Sequence, residues 1–147
     1  MPVIKRTAEV PYSAAQMYRL VDDIDSYASF VPMCAASKVH HRDNDEVRAT
    51  LTLAKGGMQK SFTTLNRLQQ DKMIEVRLVD GPFKQLEGFW QFEDLAVGSR
   101  VSLYLEFEFA SILMGVAIGP LFNQVANMLV DAFIARAKGV YSEVLPA

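Results

Sequence analysis

Apolar and polar residues alternate along the middle of this chain, and near residue 110 the alternation gives way to a helical period. The clearest alternation runs over 100–109, where Val101, Leu103, Leu105, Phe107 and Phe109 share one face and Ser102, Tyr104, Glu106 and Glu108 take the other. A period of two marks a half-buried strand. Comparable stretches over 36–42, 46–53, 59–68, 73–79 and 85–93 are separated by turn-prone segments, among them Asp43-Asn44-Asp45, Lys55-Gly56-Gly57 and Asp80-Gly81-Pro82. Six consecutive strands with short links predict an antiparallel meander. A further strand over 3–10 is stopped by Pro11. Ser13 and Gln16 stand at capping-box spacing, which predicts a short helix over 14–22 with Met17, Leu20 and Val21 inward. A second helical turn is expected over 25–30, ending before Pro32.

The last third predicts one long helix, 110–144. Projected at about 100° per residue, Phe122, Val125, Leu129, Ala132, Phe133 and Val140 form one apolar face. Val130, Ile134 and Tyr141 extend it round a second flank, leaving Gln124, Asn127 and Asp131 as the polar remainder. A helix apolar over that much of its circumference contacts two things, and the second is a cavity wall, a partner chain or the rim of the sheet. The expected fold is therefore α+β: one domain, 1–147, with a curved antiparallel sheet of about seven strands around the C-terminal helix and two short helices after the first strand. A long sheet twists and curls, and the helix fills its concave side in a helix grip.

Composition narrows the function. At 147 residues the chain builds one core. A net charge of −2 excludes a protein whose main work is gripping phosphate backbones, so no DNA partner is expected. One cysteine, Cys34, excludes an internal disulfide and a thiol set for zinc, and fits a reducing cytosol. The N-terminus reads as strand, without a signal-peptide core. The greasiest stretch, 112–122, is broken by Gly119-Pro120 and falls short of the roughly 20 apolar residues of a membrane span. No Gly-rich phosphate loop, nucleophile elbow or metal-ligand spacing occurs, and no enzyme activity, cofactor or metal is expected. His40 and His41, adjacent on a strand, point to opposite faces and cannot form a two-ligand metal site. Asp22, Asp23 and Asp25 read as a solvated acidic patch, and Cys34 as buried and inert.

Candidate ligand-binding groups lie on the faces that turn inward. Arg136 falls near the centre of the helix's apolar face, and Arg6 shares a face with Ile4, Ala8 and Val10. Each would serve as a polar contact for a ligand headgroup, or else form an ion pair or reach out to solvent. Thr64 and Asn66 share a face with Phe62, which places hydrogen-bonding groups inside the grip if Phe62 points inward; the opposite register would place Ser61, Thr63 and Leu65 there. Trp90, Phe107, Leu129 and Phe133 are expected as walls, with Ala132 as the position where a larger side chain would block the space. Met58 and Phe83, each an exposed apolar residue near a lysine (Lys55, Lys84), are expected at a tunnel mouth or a partner contact.

Val10-Pro-Tyr-Ser13, Met17-Tyr18, Leu20-Val-Asp22, Phe30-Val-Pro32, Asp80-Gly-Pro-Phe-Lys84, Trp90-Gln-Phe92 and Phe107-Glu-Phe109 together resemble the coenzyme Q-binding, START-like proteins of the polyketide cyclase/dehydrase and lipid-transport superfamily. The resemblance spans essentially the whole chain. It implies a hydrophobic tunnel holding ubiquinone or a related lipid in support of respiration, in a cytoplasmic protein that touches the inner face of the membrane transiently. A bacterial branch of the family includes a ribosome association toxin. That branch implies, as the alternative, binding to the large ribosomal subunit, for which Lys55, Lys60, Arg67 and Lys84 are the candidate basic patch.

Overall fold

A computed structural model describes residues 2–141. Along them run β1 (Val3–Val10), α1 (Ala14–Asp22), a 3₁₀ turn (Ile24–Ser26), α2 (Tyr27–Phe30), β2 (Cys34–Arg42), β3 (Glu46–Lys55), β4 (Met58–Gln69), β5 (Met73–Asp80), β6 (Phe83–Asp94), β7 (Ser99–Phe109) and α3 (Ile112–Tyr141). Every expected strand forms, several of them one or two residues longer. The expected capping box is present at Ser13 and Gln16. Helix α3 starts two residues later than expected, behind Ser111, whose hydroxyl accepts from the Met114 N–H at 3.0 Å. The last three positions expected for it, 142–144, lie outside the described residues.

The sheet is antiparallel in the order β1-β7-β6-β5-β4-β3-β2. Because β1 and β2 are its two edges, α1 and α2 carry the chain from one edge to the other. Bulges at Cys34/Ala36, Val39/His41, Thr63/Thr64 and Phe83/Gln85 bend the strands. Gly88 lies where β6 and β7 approach so closely that a Cβ would sit 2.0 Å from the Tyr104 carbonyl oxygen, so only glycine fits. The concave side collects the apolar half of each alternation, and α3 lies in it.

The buried positions of α3 move round the helix along its length, from Phe122, Val125 and Ala126 to Val130, Phe133 and Ala137. The helix follows a twisted surface and contains Pro120, which removes one backbone hydrogen bond. A single projection centred near Leu129 therefore misplaces the last turns. Val140 is 37% exposed, and Arg136 sits at the rim with its guanidinium 5.0 Å from the centre of the Phe30 ring. The second apolar flank is covered within the chain: Val130 is buried, and Ile134 and Tyr141 pack against the core. Tyr141 lies 5.7 Å from Tyr12, ring to ring, and its hydroxyl donates to the Gln16 carbonyl at 2.9 Å. What meets the flank there is Tyr12 and the first turn of α1, not a cavity wall, a partner chain or the rim of the sheet. By length and composition alone α3 would suffice to cross a membrane, despite Gly119-Pro120; here it is the helix the sheet grips.

The acidic residues after α1 are structural. The Asp23 carboxylate accepts from the Ser26 hydroxyl at 2.6 Å and the Asp25 carboxylate from the Val39 N–H at 2.9 Å. Asp22 Oδ2 accepts from Arg42 Nη1 at 2.9 Å, while Oδ1 is buried without a partner among the described residues. Burial raises the Asp22 carboxyl above its ordinary 3.8 against the opposing pull of Arg42. The folded state thus holds this proton more tightly than the unfolded chain does. Its stabilising contribution is complete below pH 3.8 and is lost as pH rises through the folded-state value. Asp22→Asn removes the titration, so urea unfolding at increasing pH is expected to show the native protein losing stability relative to this variant across that window. A difference that stays constant with pH would refute the assignment.

Candidate ligand cavity between the sheet and the long helix

Between the concave face and α3 lies a cavity of about 90 Å³. Alternate residues of five strands wall it, among them Ala49, Leu53, Phe62, Val76, Leu86, Trp90 and Leu105. Phe122, Val125, Ala126 and Leu129 approach from α3, and Ile24, Tyr27 and Val31, from the segment between the sheet edges, close it with Cys34 at the start of β2. Ala49 and Ala126, each 2% exposed, leave room where larger side chains would meet.

Two polar side chains sit in this apolar wall. Thr64 Oγ1 donates to Asn66 Oδ1 at 3.0 Å, both residues buried on β4. The Asn66 side chain makes no other hydrogen bond to the described residues, so whichever way its amide is turned, hydrogen-bonding capacity is left facing the cavity. Tyr27 spends its hydroxyl on the Val21 carbonyl, and burial drives its pKa far above the ordinary tyrosine value. The Cys34 thiol donates to the Ala36 carbonyl at 3.4 Å, and burial pushes its pKa up as well, which keeps it protonated and a poor nucleophile. Among the described residues, no aspartate, glutamate, histidine, lysine or arginine lines the space. The arrangement can hold and orient an apolar molecule bearing a carbonyl.

Of the residues singled out by sequence, Thr64, Asn66, Trp90 and Leu129 line the cavity together, in the register that turns Phe62 inward. Phe107 and Phe133 stand behind the wall as fully buried core, Phe107 4.8 Å from Phe122 and Phe133 5.3 Å from Trp90, ring to ring. Ala132 is half-buried and outside the lining, whereas Ala126 borders the cavity. Arg6 is exposed, its guanidinium donating to Asn127 Oδ1 at 3.0 Å, and ties edge strand β1 to α3 without reaching a ligand space. Arg136, stacked on Phe30, does not reach it either.

Phe83 is not exposed. The bulge at Phe83/Gln85 turns it inward, where it is 5% exposed among Phe62, Phe109 and Phe122. Met58 is half-buried beside the β3–β4 turn, and Lys84 is exposed with Glu108 at 3.4 Å. Lys55, Lys60 and Lys84 share one end of the sheet, but Arg67 lies on the outer face opposite Glu46 and Glu75, so the four basic residues do not make one patch. His40 bonds Thr50 and His41 lies by Asp43, both on the surface. No group of three potential ligands is placed to hold a metal among the described residues. Sequence reasoning passed over Ala49, Ala126, Tyr27 and Val31. The signals that could have found them were the inward register of β3 and, for Ala126, its place four residues after Phe122.

The sequence model of the polyketide cyclase/dehydrase and lipid transport family matches residues 10–134. The ribosome association toxin RatA of Escherichia coli (strain K12) is 45% identical over 143 residues, covering 97% of this chain and 90% of that protein. The mitochondrial coenzyme Q-binding protein coq10 of Schizosaccharomyces pombe is 29% identical over 137 residues, covering 88% of this chain and 82% of that protein. Among solved structures, a START superfamily protein from Mycobacterium smegmatis aligns with a TM-score of 0.78 at 19% identity, covering 94% of this chain and 98% of that one. The Zhui aromatase/cyclase from Streptomyces sp. R1128 aligns at 0.82 and 14% identity, covering 93% of each chain. These two share the fold.

Proposed function

The chain belongs to the polyketide cyclase/dehydrase and lipid transport family, and from that premise we propose that it is a non-enzymatic carrier of a hydrophobic molecule, ubiquinone or a related lipid, held between the sheet and α3 in support of respiration. The observation that carries this reading is an apolar cavity whose polar contacts are Thr64 and an incompletely bonded Asn66, with no charged residue in its wall among the described residues. The Asn66 amide donates to a ring carbonyl, the Thr64 hydroxyl steadies the amide, and the apolar walls take the hydrocarbon. No bond is made or broken. The coenzyme Q-binding name of the relative 29% identical over 88% of this chain supports the ligand class.

Size sets a condition on loading. A cavity of roughly 150 Å³ accommodates benzene, and drug-sized ligands occupy roughly 300–1,000 Å³. The 90 Å³ seen here is a closed state, so a quinone enters only when α3 shifts outward. Gly115, Gly119 and Pro120 soften the half of α3 that would move.

Two measurements test the carrier. Native mass spectrometry of gently purified protein, followed by extraction, is expected to show a bound quinone or lipid near one-to-one. Trp90, the only tryptophan and part of the wall, is expected to be quenched by a short-chain ubiquinone. Asn66→Leu should weaken that binding by about 1–3 kcal/mol, the cost of leaving the buried ring carbonyl without a donor. Empty protein and an unquenched Trp90 would refute the reading.

A second reading is favoured by the relative 45% identical over 97% of the chain, whose name is ribosome association toxin. On that reading the exposed Lys55, Lys60 and Lys84 at one end of the sheet meet the large ribosomal subunit. Co-sedimentation with isolated large subunits distinguishes it, and the two roles do not exclude each other. We place the protein in the cytoplasm, with transient contact at the inner face of the membrane.

A further inference from the structure

We propose that the first two turns of α3 are a lipid-surface anchor that seats one end of the molecule on an anionic membrane interface. Ile112, Leu113 and Val116 are 89%, 79% and 72% exposed, and at about 100° per residue they share one side of the helix. No charged residue occurs between Glu108 and Asp131. Scattered surface apolar residues are ordinary, but three at one uncharged helix end make a continuous apolar tip. The first turn of α3 carries no acidic side chain, so apart from the Ser111 cap the positive end of the helix dipole meets no negative charge of its own turn.

The surroundings of the tip favour a lipid headgroup over another protein. Antiparallel pairing puts the β3–β4 turn, the β5–β6 turn and the start of α3 at the same end of the sheet. That end carries Lys55, Lys60 and Lys84 against Asp80 and Glu108. The opposite end, with the β2–β3, β4–β5 and β6–β7 turns, presents Asp43, Asp45, Asp71 and Asp94 against Arg42 and Lys72. An anionic surface therefore attracts the apolar end and repels the other, orienting the molecule as it lands. A void of about 10 Å³ beside Ile118 and Leu121 shares Leu53, Phe62 and Phe122 with the larger cavity, so one leucine and two aromatic side chains stand between the anchor and the ligand space. The docking rests on the carrier reading only in giving that ligand a route from the bilayer; the surface contact is a separate property.

Flotation of the full-length protein with phosphatidylcholine vesicles carrying about one-third phosphatidylglycerol tests it. The native protein is expected to bind, more weakly as salt rises. The double variant Ile112→Glu with Leu113→Glu is expected to lose roughly tenfold or more of that partition, since each apolar side chain withdrawn from water is worth about that much. Acidic residues suit a first helical turn, so its melting curve is expected to match the native one. Native protein that stays off the vesicles, or a variant that binds as well as native, overturns the proposal. A concentration-dependent native dimer dispersed by the same substitutions overturns it too, assigning the tip to a second copy of the chain. Quenching of Trp90 by short-chain quinone in vesicle-free solution is measured alongside and is expected to survive in the variant. Its absence from native protein strikes the carrier reading and leaves the flotation result standing.

Discussion

Phe133→Ala is expected to lower the free energy of unfolding by about 3–5 kcal/mol, the range for removing a large aromatic side chain from a core. Phe133 is 0% exposed and sits edge-on to three other rings, Tyr27 at 5.2 Å, Phe30 at 5.2 Å and Trp90 at 5.3 Å between centroids. It joins the second half of α3 to both the sheet and the segment between the sheet edges. Two of its neighbours, Tyr27 and Trp90, already border empty space, so little can move in to fill the hole and the cost belongs at the upper end of the range. A domain of this size is stable by only about 5–15 kcal/mol, so the variant is expected to unfold at much lower urea. Urea unfolding followed by circular dichroism measures it, and a loss below about 1.5 kcal/mol would show that the region repacks. The same variant enlarges the cavity, so such protein as remains folded is expected still to take up quinone.

The fold was legible because its signals are local and repeated. Alternation in β7 and its turn-bounded predecessors gave the strands, and Ser13 with Gln16 gave the start of α1. What failed were inferences that extend one regular element too far. A single helical projection carried Arg136 into the centre of a face that has already moved on to Phe133 and Ala137. Reading Asp80-Gly-Pro-Phe-Lys84 as an exposed turn left Phe83 outside β6, where a bulge at the start of the strand turns it into the core. Edge position also defeated Arg6: its face is the inward one, but at β1 the concavity has ended and the side chain meets Asn127. Thr64 and Asn66 were found because two polar residues in an inward register stand out. Ala49 and Ala126 were not, because a cavity is made by small side chains, and an alanine in an apolar pattern looks like any other core position.

Ala126→Leu is expected to abolish quinone uptake without lowering stability, the reverse of the outcome for Phe133→Ala. Ala126 is 2% exposed and borders the cavity directly. The added carbons therefore have the cavity beside them to enter. Filling a void ordinarily stabilises by about 0.5–2 kcal/mol, whereas forcing the same carbons into a full core costs about 1–3 kcal/mol; a void of about 90 Å³ beside the side chain decides in favour of the first. Helix propensity does not oppose the change, since leucine is nearly as good a helix former as alanine. For a ligand the effect is large, because the closed cavity is already smaller than a quinone ring and the variant removes the space from which opening begins. Ala132→Leu is the matched control, six residues after Ala126 on the same helix but outside the lining, and its binding is expected to equal that of native protein. Ala49→Val narrows the cavity from the sheet side and is expected to weaken binding in the same direction, which guards against a helix-specific strain in Ala126→Leu. Native-strength quenching of Trp90 in both Ala126→Leu and Ala49→Val would place the ligand outside this cavity and remove the physical basis of the carrier reading.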